Sequence, residues 1–132
     1  VKVFADTFYW IALTDSTDNA HERALRITDD IVTTDEVLTD YLTFFCAAPK
    51  FMRREVALAV EDILQGPAVK VIPQSHESFL AGHKLFSERP DKGYSMTDCI
   101  SMQAMRREGI TEALTNDRHF EQEGFRAIFR DT

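Results

Sequence analysis

The 132-residue chain sets 22 acidic side chains against 15 basic ones, a formal net charge of −7, and 44% of it is hydrophobic. That suffices for a single domain over residues 1–132 with its own core, and the acid excess argues against a broad cationic face gripping nucleic acid by its phosphates. No apolar stretch reaches the roughly 18–20 residues that span a bilayer, and no basic leader with an apolar core precedes the first strand pattern; a cytoplasmic protein without a membrane partner is expected.

The chain opens on VKVFADTFYWIAL. A β-branched and aromatic run that breaks at Asp6 and Thr7 and then resumes predicts a buried strand handing an acid to a turn and entering a helix. An unpaired buried carboxylate costs about 1–3 kcal/mol even on the mutational scale, so Asp6 requires donors, a cation or a metal beside it. Asp is also a good N-cap, and a simple capping role stays open for it. Asp15 to Asn19 is a polar turn, and Ala20, Ala24, Leu25 and Ile27 with Arg23 and Arg26 between them predict an amphipathic helix ending near Asp29 or Asp30.

Ile31 to Thr34 repeats the opening arrangement, a strand running straight into Asp35 and Glu36. The following helix is predicted from about Asp35 to Ala48, ended by Pro49, with Val37, Leu38, Tyr41, Leu42 and Phe45 as its apolar stripe. Glu36 and Asp40, four apart on one edge of it, repel one another unless a cation lies near; a solvated acidic face explains Asp40 equally well. Phe51 to Gln65 is predicted as a helix buried through Met52, Val56, Ala59, Val60 and Ile63, and Gly66-Pro67 stops it. Ala68 to Ile72 is a strand. Gln74 to Ser87 is helical, with Phe79, Leu80, Leu85 and Phe86 expected to face inward.

The polar loop Glu88 to Gly93 brings Arg89 and Lys92 next to YSMTDCISMQAM, a helix capped by Ser95 or Thr97. Its first turn carries Asp98, which the macrodipole alone would favour by about 0.3–1 kcal/mol. Cys99, Ile100, Met102 and Met105 should face the core, and Gly109 ends the helix. Ala113 to Thr115 is a short strand breaking off in Asn116-Asp117, Arg118 to Glu123 a turn of helix, and Phe125 to Phe129 the last strand. Cys46 and Cys99 lack metal-ligand spacing, and both are expected as buried free thiols.

Strands alternating with helices predict an α/β fold with a parallel sheet of about five strands and helices on both faces. In such a sheet, groups beyond the carboxyl ends of the strands converge where the strand order reverses. Asp6, Glu36 and Asp117 follow strands and share that edge; Asp98 joins them if its helix N-terminus points there. Carboxylates so gathered raise one another's pKa unless divalent cations favour the ionised forms. Oxygen ligands suit Mg²⁺ or Mn²⁺, and a Lewis acid with an activated water is what phosphodiester hydrolysis requires.

The strand ending in FADT, the junction TTDEVLTDYLT, the segment YSMTDCISM and the late TNDRHFEQEGF together resemble a PIN-domain ribonuclease of the VapC toxin type, in that family's order over nearly the whole chain. The resemblance implies metal-site acids at Asp6, Glu36, Asp98 and Asp117, with Thr7, Ser95, Thr115 and Asn116 as polar neighbours. It further implies a three-layer fold, cleavage of single-stranded RNA with Mg²⁺ or Mn²⁺, a homodimer, and neutralisation by a cognate antitoxin. Arg89, Lys92, Arg118 and His119 are the bases nearest the site for holding RNA, with Lys92 and Arg118 the leading pair. One departure from the family pattern is that the sequence opens on Val1 and not on Met.

A phosphoacceptor receiver domain shares the fold class, but such a domain needs a lysine after its last strands and none follows Lys92. A phosphatase with a second acid two residues after Asp6 meets Phe8 there, and the five glycines are never spaced for a phosphate loop. The remaining rival is a PIN-like domain that keeps the acids but works by binding RNA or protein.

Overall fold

In the computed structural model, which describes residues 1–130, five strands pair side by side: β1 (Lys2–Ala5), β2 (Asp30–Thr34), β3 (Val69–Ile72), β4 (Glu112–Leu114) and β5 (Arg126–Ala127). Every pairing is parallel and the order is β3-β2-β1-β4-β5. Parallel neighbours cannot be joined by hairpins, so helices make the crossovers. α1 (Thr7–Thr14) and α2 (His21–Leu25) link β1 to β2; α3 (Asp35–Phe44) and α4 (Lys50–Gln65) link β2 to β3. α5 (His76–Glu88) and α6 (Met96–Glu108) lead to β4, and α7 (Arg118–Gln122) to β5. This is the expected three-layer α/β fold. β1 is the central strand, with Val3, Phe4 and Ala5 buried, and the order reverses between β1 and β4, which opens the crevice at their carboxyl ends.

Local chemistry sets most boundaries. Thr34 caps α3 by accepting the Val37 amide, and Ser75 and Ser95 close capping boxes at α5 and α6. Gly109, at φ 69°, ends α6: its amide reaches the Arg106 carbonyl, and the Ile110 amide reaches that of Met105 at 2.9 Å. This is a Schellman closure, with Ile110 buried behind it.

Several boundaries and faces differ from expectation. α2 stops at Leu25, where the Arg26 and Ile27 amides bond three residues back; Asp29 and Asp30 would face the negative end of a longer helix. α3 stops at Phe44, and the amides of Cys46 and Ala48 make three-residue turns up to Pro49, which caps α4. Leu42 is exposed, and so is Cys46, leaving Cys99 as the buried thiol. The last strand shrinks to Arg126–Ala127 because β4 offers it only Glu112 and Ala113; Ile128–Arg130 then coils as a 3₁₀ turn, with the Phe129 amide on the Thr115 carbonyl.

The largest correction concerns α5. Phe79, Leu80 and Phe86 are each about half exposed, and the packed face is Ser78, Gly82 and Leu85. A Cβ on Gly82 would stand 2.4 Å from Ile100 Cγ1 and 3.2 Å from its Cα. The absence of that atom lets α5 approach the backbone of α6, and the helix rolls its bulky residues outward.

Candidate functional site

Asp6 occupies the N-cap position of α1, but its carboxylate makes no capping hydrogen bond within that helix. It accepts instead from the Thr115 hydroxyl at 2.9 Å, across the crevice between β1 and β4. The Thr115 oxygen in turn accepts the Asp117 amide at 3.1 Å, so one buried hydroxyl ties the acid after β1 to the loop after β4. Asp117 caps α7, taking the His119 amide at 2.9 Å. Asp98 enters from α6, one oxygen accepting the Ser95 amide at 3.0 Å while Ser95 Oγ accepts the Asp98 amide at 3.0 Å. The capping role and a place at the crevice coexist at Asp98.

The His119 ring fills the space between these acids. Its Nδ1 lies 3.5 Å from Asp98 Oδ2 and 3.4 Å from Asp117 Oδ1, yet it is buried without a hydrogen-bond partner. Potential ligand atoms of Asp98, Asp117 and His119 all lie within 4.8 Å of one another. The ring packs on Tyr94 at 5.3 Å, and the Tyr94 hydroxyl donates to Glu123 at 3.0 Å.

The electrostatics match the geometry. Burial pushes the Asp6 carboxyl up to about 7; the Thr115 hydroxyl and the Thr7 amide pull it down, and Asp98 and Asp117 push it further up. Asp98 is likewise raised, by burial first and then by Asp117, against the Ser95 amide and His119. Three acids whose ionised forms disfavour one another, with a histidine nitrogen lacking a partner among them, form a donor set that a cation would complete.

Of the residues expected at the site, Asp6, Asp98, Asp117, Thr115 and Ser95 are thus joined by hydrogen bonds or mutual charge. Thr7 contributes its backbone amide. Glu36 lies in the first turn of α3, where the Ser78 hydroxyl stands 3.5 Å from its carboxylate, and it is outside the group formed by Asp98, Asp117 and His119. Asp40 is exposed one turn further along. Asn116 is exposed, and its carbonyl accepts from Arg130. Lys92 and Arg118 are exposed too.

Arg89 corrects an expectation: it is not a base held ready for RNA. It pairs with both oxygens of Glu123, at 2.9 and 3.2 Å, beside Arg106. His119 was expected among the bases and stands among the acids. The spacing D-R-H carried the signal, since a histidine two residues beyond a helix-capping Asp is placed to turn back towards it.

Comparison with solved structures finds VapC20 of Mycobacterium tuberculosis, a toxin that cleaves the sarcin-ricin loop, at TM-score 0.82 and 24% identity, covering 93% of this chain and 95% of that one. VapBC2 of Rickettsia felis, solved bound to a DNA fragment from its promoter, superposes at TM-score 0.67 and 14% identity over 92% of each chain. Curated proteins return no match. The family model for the PIN domain matches residues 3–125, nearly the whole sheet and every α-helix, and the chain therefore belongs to the PIN domain family.

Proposed function

We propose that the chain is a Mg²⁺- or Mn²⁺-dependent endoribonuclease and the toxin of a toxin-antitoxin pair. The observation that carries this is the donor set at the switch point, Asp98, Asp117 and His119 with Asp6 beside them, in which a buried His119 Nδ1 has no hydrogen-bond partner. The fit to a hard divalent ion is good, since carboxylate oxygens predominate. Asp6, Asp98, Asp117 and His119 would hold it, with Glu36 as a further acid at the rim. A bound cation supplies a Lewis acid that offsets charge on the phosphodiester and makes a water more acidic.

The protein's own part is to hold these groups still. Thr115 fixes Asp6 by donating to it and fixes Asp117 by accepting its amide; the capping box fixes Asp98 at the start of α6. Burial and the neighbouring acids hold Asp6 up at about 7, and a bound cation would favour its ionised form, so that the proton leaves as the ion is taken up.

RNA is the substrate of this reading, held locally by Lys92 and Arg118 because the net charge is −7. Neutralising either should flatten the salt dependence of RNA binding by ~0.7 log units per log salt for each phosphate that the side chain had neutralised. A cognate antitoxin would cover the groove, and a homodimer would bury apolar surface. Of the aromatics on and beside α1, α3 and α4, Trp10 and Tyr41 are core, Phe8 and Phe45 are partly buried, and Phe44 and Phe51 are exposed and available to such interfaces. The reading places the protein in the cytoplasm, and no helix among the described residues is long and apolar enough to cross a membrane.

The test is cleavage of an RNA panel that includes a sarcin-ricin loop, with Mg²⁺, with Mn²⁺ and with EDTA, for the wild type and Asp98→Asn. Metal-dependent cutting that disappears in the variant supports the reading. Inert protein that still binds RNA or the product of the adjacent reading frame supports the binding-module alternative.

A further inference from the structure

We propose that the cavity of about 520 Å³ beside the acidic site is a nucleobase subsite, taking one unstacked base of the RNA next to the phosphodiester that is cut. The proposal rests on the nuclease reading for the identity of the polymer, and on the cavity itself for the recognition of a base.

Its position is the first argument. Phe8, on one wall, is two residues beyond Asp6, and Asn116, on another, immediately precedes Asp117. Phe129, which also lines the cavity, is tied to the site: its amide bonds the Thr115 carbonyl at 3.0 Å, and the hydroxyl of that same threonine holds Asp6. A nucleotide whose phosphate lies at the acids therefore has its base within reach of the cavity.

Chemistry is the second. The half-buried Phe8 ring stands edge-on to Phe129 at 5.3 Å, and the Arg23 guanidinium covers Phe129 at 5.0 Å while donating to the Ile128 carbonyl at 2.8 Å. Aromatic rings and guanidinium planes are the surfaces on which splayed RNA bases stack. At the rim, Asn19 and Asn116 both line the cavity and are exposed, and neither side-chain amide makes a hydrogen bond to the described residues. Each offers a donor beside an acceptor, the pattern that pairs with a base edge and suits adenine best.

Charge is the third. Among the described residues the lining carries one acid, Asp18, whose carboxylate takes the Ala20 amide, and one base, Arg23. Opposite charges in single copies make this a poor phosphate site and a tolerable one for a neutral heterocycle. At this volume the cavity lies within the ordinary range for small-ligand sites, about 300–1,000 Å³, and admits a purine.

Two measurements test this together. A randomised RNA pool is cut by wild type and by Asn19→Ala, and the ends are sequenced. One position next to the cut should show a purine preference, reduced by roughly 2- to 10-fold in the variant, the range for removal of one hydrogen bond. Separately, in EDTA, a trinucleotide carrying 2-aminopurine should lose fluorescence on binding wild type and bind the variant more weakly. A pool that is cut without base preference, with no quenching, overturns the subsite and leaves the nuclease reading standing. An uncut pool with quenching that Asn19→Ala weakens keeps the subsite and removes the nuclease reading. Quenching and preference unchanged by both Asn19→Ala and Asn116→Ala would overturn the subsite.

Discussion

Asp98 and His119 share one unmet demand, their facing atoms lying 3.5 Å apart. The carboxylate needs positive charge, and the ring nitrogen facing it is buried without a hydrogen bond. Asp98→Asn should therefore cut RNA cleavage by roughly 100-fold or more, since even residues that only orient metal ligands cost 10–100-fold. His119→Ala should weaken Mn²⁺ binding by about tenfold in calorimetry while far-ultraviolet circular dichroism stays unchanged. Unaltered Mn²⁺ affinity would remove His119 from the donor set. Asp6 allows a prediction with a definite sign. Its folded pKa is raised from 3.8 to about 7, so the folded state holds its proton more tightly, and the benefit is present below pH 3.8 and lost as pH rises through 7. Asp6→Asn should therefore stabilise the metal-free protein most at pH 8 and little at pH 4, as read by denaturant midpoints.

At the scale of elements, Glu123 fastens three of them: Arg89 ends α5, Arg106 lies in the last turn of α6, and Glu123 itself follows α7. Burial alone would raise its carboxyl, but the hydrogen bonds from Arg89, Arg106 and Tyr94 outweigh that and hold it at about 2. The depressed pKa means that its stabilisation is full above pH 4.5 and lost as pH falls through 2. Glu123→Gln should accordingly lower the melting temperature at pH 7, with the gap to wild type closing toward pH 2. The α5–α6 seam makes a second demand. Gly82→Ala puts a Cβ against Ile100, where overpacking costs about 1–3 kcal/mol and the gain in helix propensity returns up to about 1. A net loss is expected, partly recovered in Gly82→Ala with Ile100→Val; a single variant as stable as wild type would contradict the close packing.

These two features mark where the sequence stops being legible. The succession of strands and helices, the Ser95 cap and the acids after β1 and β4 follow from local pattern, because hydrophobic period and cap chemistry are local quantities. The roll of α5 is set by its neighbour: three large apolar residues suggested the inward face, and a glycine against Ile100 decided otherwise. The Arg89–Glu123 pair spans 34 residues, and nothing local to either residue announces it.

For the molecule as a whole, the order β3-β2-β1-β4-β5 concentrates acid at one edge of a chain already at net −7. Self-repulsion then works against the fold at neutral pH, most strongly where Asp6, Asp98 and Asp117 meet. A cation binding the native cluster and not the unfolded chain relieves this by RT ln(1 + [M]/Kd), about 2.7 kcal/mol at a hundredfold excess over Kd. The melting temperature should thus rise with the logarithm of Mg²⁺ or Mn²⁺ concentration above Kd. General screening by salt would also stabilise so acidic a protein, so ionic strength is held constant with NaCl, which leaves site binding as the variable. Asp98→Asn should blunt the slope, whereas Asp40→Asn, an exposed acid outside the group, should leave it close to wild type. Equal slopes in all three proteins would mean that the cation acts on net charge and not on the cluster.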